Sequence, residues 1–122
     1  MEKSFNDRVE EAKQVVSSLT PQQAASLRDS HDVVFVDPRP ADAIAETTGL
    51  ITGARNIQLD DIADGNLPPD LDKDATQVVT ACQGGPMGAI AAHEFHKQGF
   101  ANVHYVEGGT QGWLNAGFST SR

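Results

Sequence analysis

The chain has 122 residues, 39% of them hydrophobic and 21% charged, which suits one domain built around one core. Seventeen acidic against nine basic side chains give a net charge of −8, and such a surface repels phosphate backbones, so no nucleic-acid partner is expected. No apolar run is long enough to cross a bilayer, the charged start MEKSFNDRVEEAK has no signal-like segment, and a lone cysteine cannot form an internal disulfide. These features point to a cytoplasmic domain with no membrane partner.

Ser4 followed by Asp7 reads as a capping box. Phe5, Val9, Ala12, Val16 and Leu19 then recur at helical spacing, so residues 1–19 are expected to form an N-terminal amphipathic helix, with 20–122 as the domain proper. Thr20-Pro21 reads as a cap and first helical residue, opening a second helix through Ala24, Ala25 and Leu27. The unbroken run Val33-Val34-Phe35-Val36 has the character of a strand buried on both faces, ended by Asp37-Pro38-Arg39-Pro40. A glycine-punctuated stretch, 49–57, reads as a turn and a short strand, and Leu59 to Ala63 as a short helix stopped by Gly65. Residues 77–81 form a second buried strand. It runs into Cys82-Gln83-Gly84-Gly85-Pro86-Met87-Gly88 and a helix carrying Ala89, Ile90, Ala92, His93 and Phe95, which stops at Gly99. Asn102 to Val106 is a further strand, and a last short helix surrounds Trp113. Alternating strands and helices imply a parallel sheet with helices on both faces.

The chemistry concentrates at Cys82. Ligands of open α/β sheets bind beyond the carboxyl ends of the strands, and a glycine-rich curl leading into a helix presents backbone N–H groups to an anion. Such amides favour a thiolate over a thiol, which makes Cys82 a candidate nucleophile. Gln83, Gly84, Gly85, Met87 and Gly88 form the candidate substrate- or anion-binding loop. The bland alternative is a buried cysteine beside a glycine turn.

Four segments tip the balance. The pattern Cys82 to Gly85 at the mouth of a helix resembles the active-site loop of the rhodanese family. Val34-Phe35-Val36-Asp37-Pro38-Arg39 looks like its strand ending in Asp-X-Arg, and Gly49-Leu50-Ile51-Thr52-Gly53-Ala54-Arg55-Asn56-Ile57 is similar to its Gly-His-Ile-Pro-Gly-Ala-X-Asn-Ile signature. Gly108-Gly109 followed by Trp113 matches a fourth family motif, and the resemblance runs from about residue 20 to residue 118. It implies a rhodanese-like three-layer α/β domain, with a five-stranded parallel sheet and helices on both faces. It further implies a sulfurtransferase that needs no cofactor or metal. Its Cys82 thiolate takes a sulfane sulfur from a small-molecule donor, thiosulfate or a persulfide, and passes it to cyanide or a thiol, a protein thiol included. Asp37 and Arg39 are expected to support the site through an internal ion pair.

The chain also departs from the pattern. Many single-domain members carry arginine where Met87 stands, and methionine cannot grip a sulfonate bidentately. Pro86 removes one N–H from the loop, and Leu50 and Thr52 replace the family's histidine and proline. The alternative reading is a catalytically weak rhodanese-like binding or regulatory module. A cysteine phosphatase would need an arginine six residues after the nucleophile, where Gly88 stands. His93 and His96 share a helix face but lack further ligands and are read as metal-free, while His31 and His104 have no evident partners. Asp60, Asp61, Asp64, Asp70, Asp72 and Asp74 read as a solvated face, and Trp113 as core.

Overall fold

The computed structural model describes residues 4–30 and 32–121, so His31 lies outside the described residues. The first helix, α1 (Phe5–Val15), starts where the Ser4 hydroxyl accepts the Asp7 N–H at 3.1 Å. It ends at Val15 and does not reach Leu19. Ser17–Leu19 instead form a strand, β1, paired in parallel with β6 (Asn102–Val106). Leu19 keeps the helical phase of the apolar stripe, but the branched Val15-Val16 pair and two serines disfavour another turn, and the free edge of β6 supplies hydrogen bonds.

The helix α2 (Pro21–Leu27) carries a complete capping box: Thr20 Oγ1 accepts from the Gln23 N–H at 3.1 Å, and Gln23 Oε1 from the Thr20 N–H at 2.9 Å. The strand β2 (Val33–Asp37) is followed by α3 (Ala41–Glu46), a helix that its sequence does not announce. Next come β3 (Leu50–Ile51), β4 (Arg55–Asn56) and α4 (Leu59–Asp64), the last ended by Gly65 at φ 78°. The segment β5 (Gln77–Thr80), α5 (Pro86–Lys97), β6 and α6 (Gly109–Asn115) follows the predicted order, and β7 (Thr120–Ser121) pairs antiparallel with β3.

The main sheet has five parallel strands in the order β1-β6-β5-β2-β4. Alternate residues of its central strands enter different cores. Val36 and Val78 join Ala12, Ile62, Ala89, Ala92 and Phe95, beneath α1, α4 and α5. Phe35 and Val79 join Ala24, Val106 and Trp113, beneath α2 and α6. The strands therefore read as unbroken apolar runs because both faces are covered. Trp113 is fully buried and its indole N–H donates to the Ser119 carbonyl at 2.9 Å. No helix among the described residues is long and apolar enough to cross a membrane.

Candidate active site

Residue 82 follows the last residues of β5 at the carboxyl edge of the sheet, and α5 begins four residues later at Pro86. The chain between them turns through Gly85 at φ 118°, a conformation that side chains rarely adopt. This turn brings the Gly85 N–H to 3.0 Å from Cys82 Sγ, so a backbone amide donates to the sulfur. The cysteine is unpaired and 4% exposed, in surroundings where such a bond is stronger than in water.

The loop is fastened from below by α6. The Thr110 N–H donates to the Cys82 carbonyl at 2.7 Å and the Gln111 N–H to the Gln83 carbonyl at 3.0 Å. The approach leaves no room for a side chain at Gly109, where a Cβ would stand 2.6 Å from the Cys82 oxygen and 2.8 Å from the Gly85 nitrogen. The Gly-Gly pair before Trp113 therefore lets the two loops touch. On the α5 side, Thr80 Oγ1 donates to the Gly88 carbonyl at 2.6 Å, and a Cβ on Gly88 would lie 3.3 Å from the Cys82 nitrogen.

The expected loop residues thus divide by role. Gln83 and Gly84 are exposed at the tip, Gly85 supplies the amide, and Gly88 is buried where helix meets strand. Met87 is half-buried at the start of α5 and faces Pro38, Pro40 and Leu59 across a shallow groove. Pro86 offers no N–H, which leaves the amides of Met87 and Gly88 in that first turn.

Asp37 and Arg39 are buried together. Arg39 Nε donates to Asp37 Oδ1 at 3.0 Å and Nη2 to Oδ2 at 2.6 Å, a bidentate pair. Arg39 also donates to Thr47 Oγ1 at 3.0 Å and Thr48 Oγ1 at 2.9 Å, and Asn56 Nδ2 donates to the carbonyls of Asp37 and Arg39. This network fixes the chain beyond β2 beside the cysteine loop. The threonines and Asn56 carried no functional signal of their own in the sequence, because α3 must first fold back to place Thr47 and Thr48 on the guanidinium.

Other polar residues stand away from the loop. His104 Nδ1 lies 3.0 Å from Ser17 Oγ, across the β1–β6 pair. The acidic stretch is exposed as read, and within it Asp70 is engaged bidentately by Arg55 at 3.0 and 2.6 Å. That hydrogen bonding holds the Asp70 carboxyl below the usual carboxylate range and raises Arg55. Among the described residues no group of three or more His, Cys, Asp or Glu side chains is placed to hold a metal ion.

A doubly covered parallel sheet with a cysteine, hydrogen-bonded by a backbone amide, at its carboxyl edge defines an α/β domain with a candidate thiol site. The chain belongs to the Rhodanese-like domain family, which matches residues 20–116. It is 36% identical over 95 residues to the thiosulfate sulfurtransferase GlpE of Pseudomonas putida, covering 78% of this chain and 82% of that protein. It is 35% identical to GlpE of Pseudomonas aeruginosa, with 78% and 81% covered. Among solved structures, a Rhodopseudomonas palustris protein of unknown function, described as a possible tyrosine phosphatase, superposes with a TM-score of 0.83 at 26% identity, over 99% of this chain and 96% of that one. A rhodanese homologue from the extremely thermophilic bacterium Thermus thermophilus gives 0.62 at 25% identity, with 78% and 98% covered. Domain and relatives together support sulfurtransferase activity in general.

Proposed function

We propose that this chain is a sulfurtransferase that carries the transferred sulfur as a persulfide on Cys82. The observation that carries the reading is the Gly85 N–H donated to Cys82 Sγ at 3.0 Å, at the mouth of a helix. An amide aimed at that sulfur stabilises negative charge there, first as thiolate and then as persulfide anion. With thiosulfate the thiolate attacks the sulfane sulfur. The new bond forms between Sγ and that sulfur, the original S–S bond breaks, and its electron pair leaves with sulfite. An acceptor thiolate or cyanide then attacks the outer sulfur and regenerates the Cys82 thiolate. Both steps are displacements at sulfur, and neither calls for a redox partner or cofactor.

Asp37 and Arg39 act as positioning residues in this scheme. Their charges satisfy each other, so their contribution is to hold the β2 end and the neighbouring loop in register. The proposed setting is the cytoplasm, where the single thiol stays reduced between turnovers. The direct test is thiocyanate formation from a sulfane donor and cyanide. The wild-type chain should turn over and a folded Cys82→Ser variant should not; equal turnover by the two would refute the assignment, and no turnover by the folded wild type with any donor would favour a binding module.

A further inference from the structure

A shallow groove lined by Pro38, Pro40, Gln58, Leu59, Asp60 and Met87 opens beside the cysteine loop. The sheet sets its position. Val36 and Thr80 are register partners and the Ala81 N–H donates to the Val36 carbonyl, so two residues beyond, Pro38 and Cys82 stand on neighbouring chains at the same edge. Met87 reaches in from the first turn of α5, and the Leu59 N–H, donating to the Pro38 carbonyl at 3.1 Å, fixes the opposite wall.

The groove is apolar in its walls and acidic in its charge. Pro40, Leu59 and a polarisable Met87 offer contact to carbon and sulfur above the fully buried Pro38, and the charged member of the lining is Asp60. The guanidinium closest along the chain, Arg39, is 5% exposed and held by Asp37, Thr47 and Thr48. A sulfonate dianion seated here would meet no cation and one carboxylate, whereas an uncharged carbon substituent would meet a matching surface.

We infer that this groove binds the organic part of the sulfur donor, so that the preferred donor carries an apolar substituent beside the sulfane sulfur and is not inorganic thiosulfate. The inference rests on the reading of Cys82 as the sulfur acceptor and names the substrate class of that same site. For an organic thiosulfonate the thiolate forms a bond to the sulfane sulfur, the sulfur–sulfonyl bond breaks, and the electron pair leaves with a sulfinate. Charge and atoms balance with no further reagent.

The test compares kcat/KM for thiosulfate, methanethiosulfonate and benzenethiosulfonate, with cyanide as acceptor, on the whole chain. The two organic donors carry the same charge, so their ratio reads contact with the groove, and comparing that ratio between variants cancels their intrinsic reactivity. Wild type should use benzenethiosulfonate better than thiosulfate. Leu59→Gln and Met87→Gln should each lower the benzene-to-methane ratio by roughly three- to tenfold, the loss expected for about one or two apolar contacts. Met87→Arg should raise kcat/KM for thiosulfate by a similar factor, through a charge-assisted hydrogen bond. Should Leu59→Gln fail to fold, Met87→Gln at the half-buried helix start carries the comparison. An unchanged ratio in a folded glutamine variant, or thiosulfate preferred by wild type, overturns the inference while leaving Cys82 as the carrier. No turnover with any of the three donors overturns the inference, and failure of an alkyl persulfide as well overturns both.

Discussion

Gly109 passes so close beneath the cysteine loop that a Cβ on it would stand 2.6 Å from the carbonyl oxygen of Cys82. The loop and the start of α6 therefore form one unit, joined by the Thr110 and Gln111 amides. Gly109→Ala must either push the loop outward or unwind the first turn of α6, and its φ of 63° adds strain. A loss of at least about 2 kcal/mol in denaturant unfolding is expected. Sulfur loading of Cys82 should slow as well. Unchanged stability would mean that the two loops are not held at this distance.

The Asp37–Arg39 pair gives a second test. Asp37→Asn keeps the shape of the side chain but leaves the buried guanidinium without a counter-charge, a change that costs about 3–5 kcal/mol when one partner of a buried pair is removed. Chemical denaturation of the variant should show a loss of that order. Arg39→Lys should also destabilise, because an ammonium cannot make the two parallel hydrogen bonds seen here. A near-neutral Asp37→Asn would contradict the buried, fully engaged network.

Thr110 is fully buried, and its hydroxyl oxygen has no hydrogen-bond partner among the described residues. An unsatisfied buried hydroxyl costs about 1–3 kcal/mol, so the near-isosteric Thr110→Val should stabilise the fold by about 1 kcal/mol. Its backbone N–H still caps the Cys82 carbonyl, so the loop should keep its shape. The measurement is again the unfolding midpoint, and a loss of stability would reveal a partner for that hydroxyl.

Burial, followed by the nearby Lys97, holds the His93 imidazole below its ordinary value, while Glu94 and Glu11 act in the opposite direction without prevailing. The unfolded chain therefore takes up this proton first as the pH falls. Stability tied to His93 is intact above about pH 6.5 and declines as the pH drops from there toward the folded value, then levels off. His93→Gln should flatten that part of the stability profile. An identical acid slope in the variant would assign the titration to another group.

How far the sequence discloses the molecule follows from the range of the forces involved. The strands β2 and β5 are legible because burial on both faces demands unbroken branched runs such as Val78-Val79. The helix α3 is not legible, since its N-cap is Pro40 with no capping hydrogen bond and its six residues bury Ile44 alone. The strand β1 hides inside a helical stripe and is decided by the free edge of β6, a long-range effect. At the site, Cys82, Gly85 and the Asp37–Arg39 pair lie close in sequence and could be read there. The Met87 groove could not, because its walls come from three segments that only the fold brings together.

The central claim is that Cys82 receives the sulfur, and intact mass reads this directly. Incubation of the reduced chain with a sulfane donor, followed by removal of the excess, should add the mass of one sulfur atom to one population. Cyanide should return that population to the starting mass, and Cys82→Ser should gain nothing under the same conditions. A chain that stays at its starting mass with thiosulfate, organic thiosulfonates and persulfides alike, while remaining folded, would contradict the account.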